Sequence, residues 1–76
     1  MAQIISNLSP TKALAFDEAN ATTTYIGTAK AGTATSDAKW QIRRITVTGN
    51  VSLFAFADSN DRYDNKWSDR TTLSYS

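Results

Sequence analysis

Alternation of apolar and polar residues is clearest in the third quarter of this chain. Trp40 to Thr48 reads as a strand, Gly49-Asn50 as a two-residue connection, and Val51 to Ala57 as a second strand. Gly at the first central position of such a loop suits a type II′ turn, whose twist matches the strands it joins. In the second arm Val51, Leu53, Ala55 and Ala57 fall on one face, and Ser52, Phe54 and Phe56 on the other. In the first arm Trp40 and Ile42 share one face, whereas Ile45 and Val47 share the opposite one. The phase slips at Arg43-Arg44, which predicts either a β-bulge there or a hairpin partly covered on both faces. Two-sided covering in so short a chain points to a partner.

Elsewhere the pattern comes in shorter pieces. Ala2 to Leu8 reads as a short strand, broken at Ser9-Pro10-Thr11 because proline cannot donate to a ladder. Lys12 to Phe16 fits either a second short strand or a turn of helix, and Asp17-Glu18-Ala19-Asn20 reads as a polar turn. Thr22 to Lys30 reads as a strand in which Gly27 marks a bulge or a close backbone approach. Ala29 to Ala38 is small and polar. Its plain reading is an exposed loop, and its sharper reading a thin segment packed against a neighbouring subunit. Asp58-Ser59-Asn60-Asp61 is a turn cluster. Asp64-Asn65 is placed to cap a single helical turn carrying Lys66, Trp67 and Ser68. Thr71 to Tyr75 reads as a closing strand with Thr71, Leu73 and Tyr75 on one face. The expected fold is therefore mostly β: a small antiparallel β-sandwich or barrel-like domain with a central hairpin at Gly49-Asn50 and little or no helix.

Composition narrows what such a domain can be. The 76 residues make one domain, with the first 20 or so as a candidate arm. A chain this short buries a smaller fraction of its surface than a larger one does, so its stability margin is thin. It has no Cys and no His, so neither a disulfide nor the usual zinc ligands add to its stability. Association with itself or with a larger body is the remaining stabiliser. Thr and Ser make up a quarter of the chain, and β-branched Thr favours strands. The net charge of +1 gives no electrostatic case for nucleic acid, whose binders cluster several Lys or Arg. No apolar run approaches the roughly 20 residues needed to span a bilayer. The N-terminus lacks the charged start and long apolar stretch of a signal peptide, so production in a cytosol is expected.

Candidate chemistry is thin. Asp58, Asn60, Asp61 and Asp64 invite a calcium reading, but Arg62 and Tyr63 stand where an EF-hand loop needs an oxygen ligand and Gly. Turn-stabilising side chains are the expectation there. Arg43 and Arg44 with Trp40 and Tyr25 resemble an aromatic-basic patch for nucleic acid. Adjacent strand residues point to opposite faces, however, so only one Arg can join such a patch. The other is expected to pair with an acid such as Asp58 or Asp69. Without His or Cys, and with its carboxylates in polar turn-like segments, the chain is not expected to be an enzyme, to hold a cofactor or to bind a small-molecule substrate. Of Trp40 and Trp67, one is expected to anchor the core and one an interface.

The run Trp40-Gln41-Ile42-Arg43-Arg44-Ile45, the stretch Phe56 to Arg70 (Phe-Ala-Asp-Ser-Asn-Asp-Arg-Tyr-Asp-Asn-Lys-Trp-Ser-Asp-Arg), Leu73-Ser74-Tyr75 and the upstream Tyr25-Ile26-Gly27 carry a resemblance. Together they resemble short structural proteins encoded in tailed-bacteriophage and viral-metagenome genomes. The resemblance runs from Tyr25 to Tyr75 and departs at position 59, where Gly rather than Ser is expected. It implies a virion component assembled in the host bacterial cytoplasm, with other virion subunits and its own copies as partners. The expected role is capsid decoration or cement. A tail, collar or fibre component, and a small nucleic-acid- or host-protein-binding β-barrel, are the alternatives. The residues expected at interfaces are Tyr25, Trp40, Arg43, Arg44, Phe54, Phe56 and Trp67.

Overall fold

The computed structural model describes residues 12–76. The expected opening strand, Ala2 to Leu8, and the break after it lie outside the described residues. The rest is antiparallel β structure with a single short helical turn, as the sequence predicts. Strands β1 (Lys12–Asn20), β2 (Thr23–Lys30), β3 (Ala38–Thr48) and β4 (Val51–Phe56) pair in chain order. A short β5 (Asn65–Lys66) pairs with the start of β3, and a 3-10 turn follows at Trp67–Asp69.

Pairing partners override several local signals. Lys12 to Phe16 is strand, and the strand runs on through the Asp17–Asn20 segment expected to turn. Asp17 and Glu18 sit opposite Tyr25 and Thr24 in the β1–β2 ladder, which outweighs their weak strand preference. The turn falls instead at Ala21-Thr22, where the Asn20 side chain accepts from the Thr22 amide at 2.9 Å. The Gly49-Asn50 hairpin forms with Thr48 opposite Val51. Gly49 has φ +60° and Asn50 is not left-handed, which matches the type II′ expectation. No bulge occurs at Arg43-Arg44: both keep register, with Ile26 and Tyr25 on one side and Phe56 and Ala55 on the other. The phase change in β3 instead reflects a strand with apolar residues on both faces.

The register assigns every strand residue to a face. One face carries Ala13, Ala15 and Asp17 of β1, and Tyr25, Gly27 and Ala29 of β2. It also carries Trp40, Ile42 and Arg44 of β3, and Val51, Leu53, Ala55 and Ala57 at the end of the hairpin. The C-terminal segment lies on this face. It brings Trp67 into the buried cluster of Ala29, Trp40, Ile42 and Ala57, with Leu73 and Tyr75 packed beside it. Gly27 explains how Trp67 reaches so close. A Cβ at this position would stand 2.5 Å from the Trp67 ring and 3.0 Å from that of Trp40. The glycine is thus a close approach and not a bulge, since its register runs unbroken between Ala15 and Ile42.

The C-terminal segment departs from two further expectations. Lys66, not Asp64 or Asn65, precedes the helical turn, and no side chain caps it. Asn65 is occupied as a buried strand residue opposite Trp40. Thr71 to Tyr75 is not a strand: it turns, and only Tyr75 makes a bridge, to Ala57. The Thr72 amide donates to the Asp69 carbonyl at 2.9 Å in a turn, and the Ser74 carbonyl accepts from the Asp58 amide at 2.7 Å beside the bridge.

Candidate functional site

Hydrogen bonds and stacking fix the covered end of the sheet. The Trp40 and Trp67 ring centroids are 5.9 Å apart. The Trp40 indole donates to the Ala34 carbonyl at 3.0 Å, and the Ser68 amide donates to the Thr35 carbonyl at 3.1 Å. The small-residue loop is thereby tied to its own chain's core, although most of its side chains are exposed. Arg70 lies 4.7 Å over the Trp67 ring and donates to the Asp17 carboxylate at 2.9 Å. That bond ties the C-terminal segment to edge strand β1.

Both Trp residues are core residues, at 3 % and 8 % exposure, so the expectation of one at an interface is corrected. Each ring fills the space left by Gly27 and the Ala residues around it. Tyr25 packs on Tyr75 at 5.7 Å on the same face. Arg44 stands 4.8 Å over the Tyr75 ring, while Arg43 lies on the opposite face between Ile26 and Phe56. The two Arg do part to opposite faces. The acid expected to pair with one of them is not used: among the described residues the ion pair is Arg70 with Asp17. The Nε atoms of both Arg43 and Arg44 are buried without a hydrogen-bond partner among the described residues. The Tyr75 hydroxyl donates to the Arg70 carbonyl at 2.7 Å. Burial, then Tyr25, pushes its pKa up to about 12, while Arg44 and Arg70 pull the other way.

The Asp58–Asp64 segment uses its polar groups to hold its own turns. Asp58 and Ser59 both have positive φ, 57° and 59°, and the Asn60 amide donates to the Ala57 carbonyl. This is the geometry of a type I′ turn, which Gly favours at the position of Ser59. Asn60 accepts from the Arg62 amide and donates to the Asp58 carbonyl, and Ser59 hydrogen-bonds Ser76. Among the described residues no three His, Cys, Asp or Glu side chains gather to hold a metal ion, and no enclosed cavity is present. No described helix is long and apolar enough to cross a membrane.

The other end of the β3–β4 hairpin is the unusual feature. Val51, Leu53 and Phe54 are 55 %, 60 % and 65 % exposed, and Val47 is exposed beside them. Phe54 and Val47 belong to the Arg43 face with half-buried Phe16, Ile45 and Phe56, whereas Val51 and Leu53 belong to the Trp40 face. Of the residues expected at interfaces, only Phe54 is exposed; Tyr25, Arg43, Arg44 and Phe56 are half-buried, and Trp40 and Trp67 are buried. Sequence reasoning missed Val47, Val51 and Leu53. Their signal was in the hairpin register. A two-residue loop sets Val51 opposite Thr48 and Leu53 opposite Thr46, away from Trp40 and Ile42.

The fold and this surface define an all-β domain of one antiparallel sheet, closed on one face by its C-terminal segment and open at one hairpin. Comparison with family models, curated proteins and solved structures finds no match.

Proposed function

We propose that this chain is a non-enzymatic structural protein of a bacteriophage particle, associated with the capsid as a decoration or cement protein. The observation that carries the assembly part is the group of large apolar side chains at the hairpin end, exposed on both faces of the sheet. Exposed apolar patches of this kind mark contact surfaces. The viral part rests on the resemblance of residues 25–75 to short phage structural proteins. The absence of His and Cys from the sequence removes the commonest general base and the strongest nucleophile. The mechanism is passive: buried apolar area and added strand pairing stabilise an assembled lattice.

A tail, collar or fibre role shares the same surface and differs in location. Binding of nucleic acid is the weaker reading, because Arg43 and Arg44 face opposite ways. Mass spectrometry of purified particles, followed by electron microscopy and heating of particles lacking the protein, tests the proposal. Its presence in stoichiometric amounts on the capsid and a loss of heat resistance without it are expected. Its absence from particles overturns the virion reading. Unchanged heat resistance overturns the cement role.

A further inference from the structure

We propose that the outer edge of β4 is a self-pairing edge, where two copies join antiparallel about a two-fold axis at Leu53. This deepens the assembly reading above and rests on it in part.

The backbone shows which groups are free among the described residues. Thr48 and Val51 close the two-residue turn, and the Ala57 amide donates to the Ile42 carbonyl. Antiparallel ladders alternate hydrogen-bonded and non-hydrogen-bonded pairs, so Val51, Leu53, Ala55 and Ala57 bond inward to β3. Ser52, Phe54 and Phe56 then turn their amides and carbonyls outward. The Phe56 carbonyl is already taken, by the amides of Ser59 and Ser76. Ser52 and Phe54 have no such partner among the described residues.

Three observations select a strand as the occupant, and a second copy as its source. First, Leu53 and Phe54 are neighbours on opposite faces, and both are at least 60 % exposed. A group docking on one face covers only one of them, whereas a strand continuing the sheet flanks both. Second, β4 reads Val-Ser-Leu-Phe-Ala-Phe, with no charge, no Pro and no register shift. Protected edges carry such features. The opposite edge, β1, has them: Lys12, Asp17, Glu18 and a register shift between Glu18 and Asn20. An uncharged strand meets its own copy without repulsion. Third, the free stretch is bounded by the Gly49-Asn50 turn at one end and by Ser76 on Phe56 at the other. Its midpoint is Leu53, as a two-fold antiparallel pair requires.

That register has definite consequences. Ser52 exchanges both its outward bonds with the partner's Phe54, and Phe54 does so with the partner's Ser52. Leu53 stands directly opposite the partner's Leu53 in a non-hydrogen-bonded pair, where side chains approach most closely. Val51 faces the partner's Ala55. The two Phe54 rings are diagonal neighbours on the other face. The contact is short, so the dimer forms in a concentration-dependent way.

Analytical ultracentrifugation of the full chain over a wide concentration range tests this. A monomer–dimer equilibrium is expected in the wild type. Leu53→Lys and Leu53→Glu should each be monomeric, because like charges meet at the axis, and an equimolar mixture of the two should regain dimer. Both changes are at an exposed position, and the circular dichroism spectrum checks that each variant folds. If either fails to fold, amide exchange in the wild type decides. The Ser52 and Phe54 amides should gain protection as concentration rises, whereas the Leu53 amide, bonded within the hairpin, is protected throughout. A wild type that stays monomeric, a dimer indifferent to both charges, or unprotected Ser52 and Phe54 amides would each overturn the edge. A chain found in particles but monomeric in solution sinks the edge and leaves the virion reading. A dimer absent from particles does the reverse.

Discussion

The two ends of the β3–β4 hairpin have similar apolar content and opposite fates. At one end Trp40, Ile42 and Ala57 are buried to within 3 % of full burial. At the other, Val47, Val51, Leu53 and Phe54 stand in solvent. Strand propensity does not distinguish them, since Trp40, Ile42 and Val47 all lie in β3, and Val51, Leu53 and Phe54 in β4. The difference lies in where the chain returns. Residues 65–75 pass over the Trp40 end, supplying Trp67, Leu73 and Tyr75, and Tyr75 bridges back to Ala57 at the point where β4 ends. A single covering segment of this length reaches one end of the hairpin only. In so small a domain, hydrophobicity sets which residues are available for burial, and the path of the return segment sets which are buried.

The largest expected effects lie at the covered end. Trp67→Ala removes the ring that closes the cluster and leaves Trp40, Gly27 and Ala29 facing a void. Large-to-small changes at buried aromatic sites cost about 3–5 kcal/mol. For a domain with so little core, that is expected to abolish cooperative unfolding in a thermal melt. Gly27→Ala comes next. Its added Cβ stands too close to both indole rings, so Trp67 must move, and overpacking of this kind costs about 1–3 kcal/mol. Denaturant midpoints measure it. If Gly27→Ala is neutral, the close contact that distinguishes the covered end is not tight.

This difference between the ends was partly legible in the sequence. The hairpin and its turn type followed from Gly49-Asn50 and the flanking alternation. The faces of β4 followed from parity alone. The strand character of Asp17 and Glu18 did not, because it comes from pairing with Tyr25 and Thr24 and from the reach of Arg70, which is distant in sequence. Both Trp residues being core depends on Gly27, a residue far from either in the chain. A glycine in a strand signals close approach without saying what approaches. The open end was legible in principle, since the two-residue loop places Val51 and Leu53 opposite Thr48 and Thr46. Side-chain size was the misleading signal, because it pointed to one of Trp40 and Trp67 as an interface anchor.

A mid-sized effect comes from the tie between β1 and the return segment. Asp17→Ala removes the acceptor of Arg70, whose side chain is 26 % exposed against 22 % for Asp17. Partly exposed pairs contribute roughly 1 kcal/mol or less. A matching loss is expected in Arg70→Ala, with an additional loss from its contact over Trp67. A double-mutant cycle separates the two.

Tyr75 offers a pH readout of the same end. Its folded pKa of about 12 lies above the ordinary 10.0, chiefly through burial. The folded state therefore holds the phenol proton where the unfolded chain has released it. The associated stability is intact below pH 10 and is lost as pH rises from there toward about 12. Measured against Tyr75→Phe, which cannot titrate, the wild type should lose stability over that window. The Phe variant should lose less there, despite a constant deficit from its missing bond to the Arg70 carbonyl. Parallel pH curves for the two proteins would show that Tyr75 is as wet as the open end.

The smallest effect is expected at the open end. Leu53→Ser and Phe54→Ser remove large apolar side chains, and in a buried setting either change would unfold the domain. Here both residues are more than half exposed, and the monomer forgoes little by losing them. Surface changes away from a packed site fall within about 0.5 kcal/mol. Thermal melts at high dilution should therefore overlay with the wild type. Melts at high concentration should not, because the wild type gains from pairing by mass action and the variants do not. The side chains that contribute least to folding the single chain would then contribute most to holding two together. A large loss at high dilution would place Leu53 and Phe54 within the fold of the single chain and remove the contrast between the two ends of the hairpin.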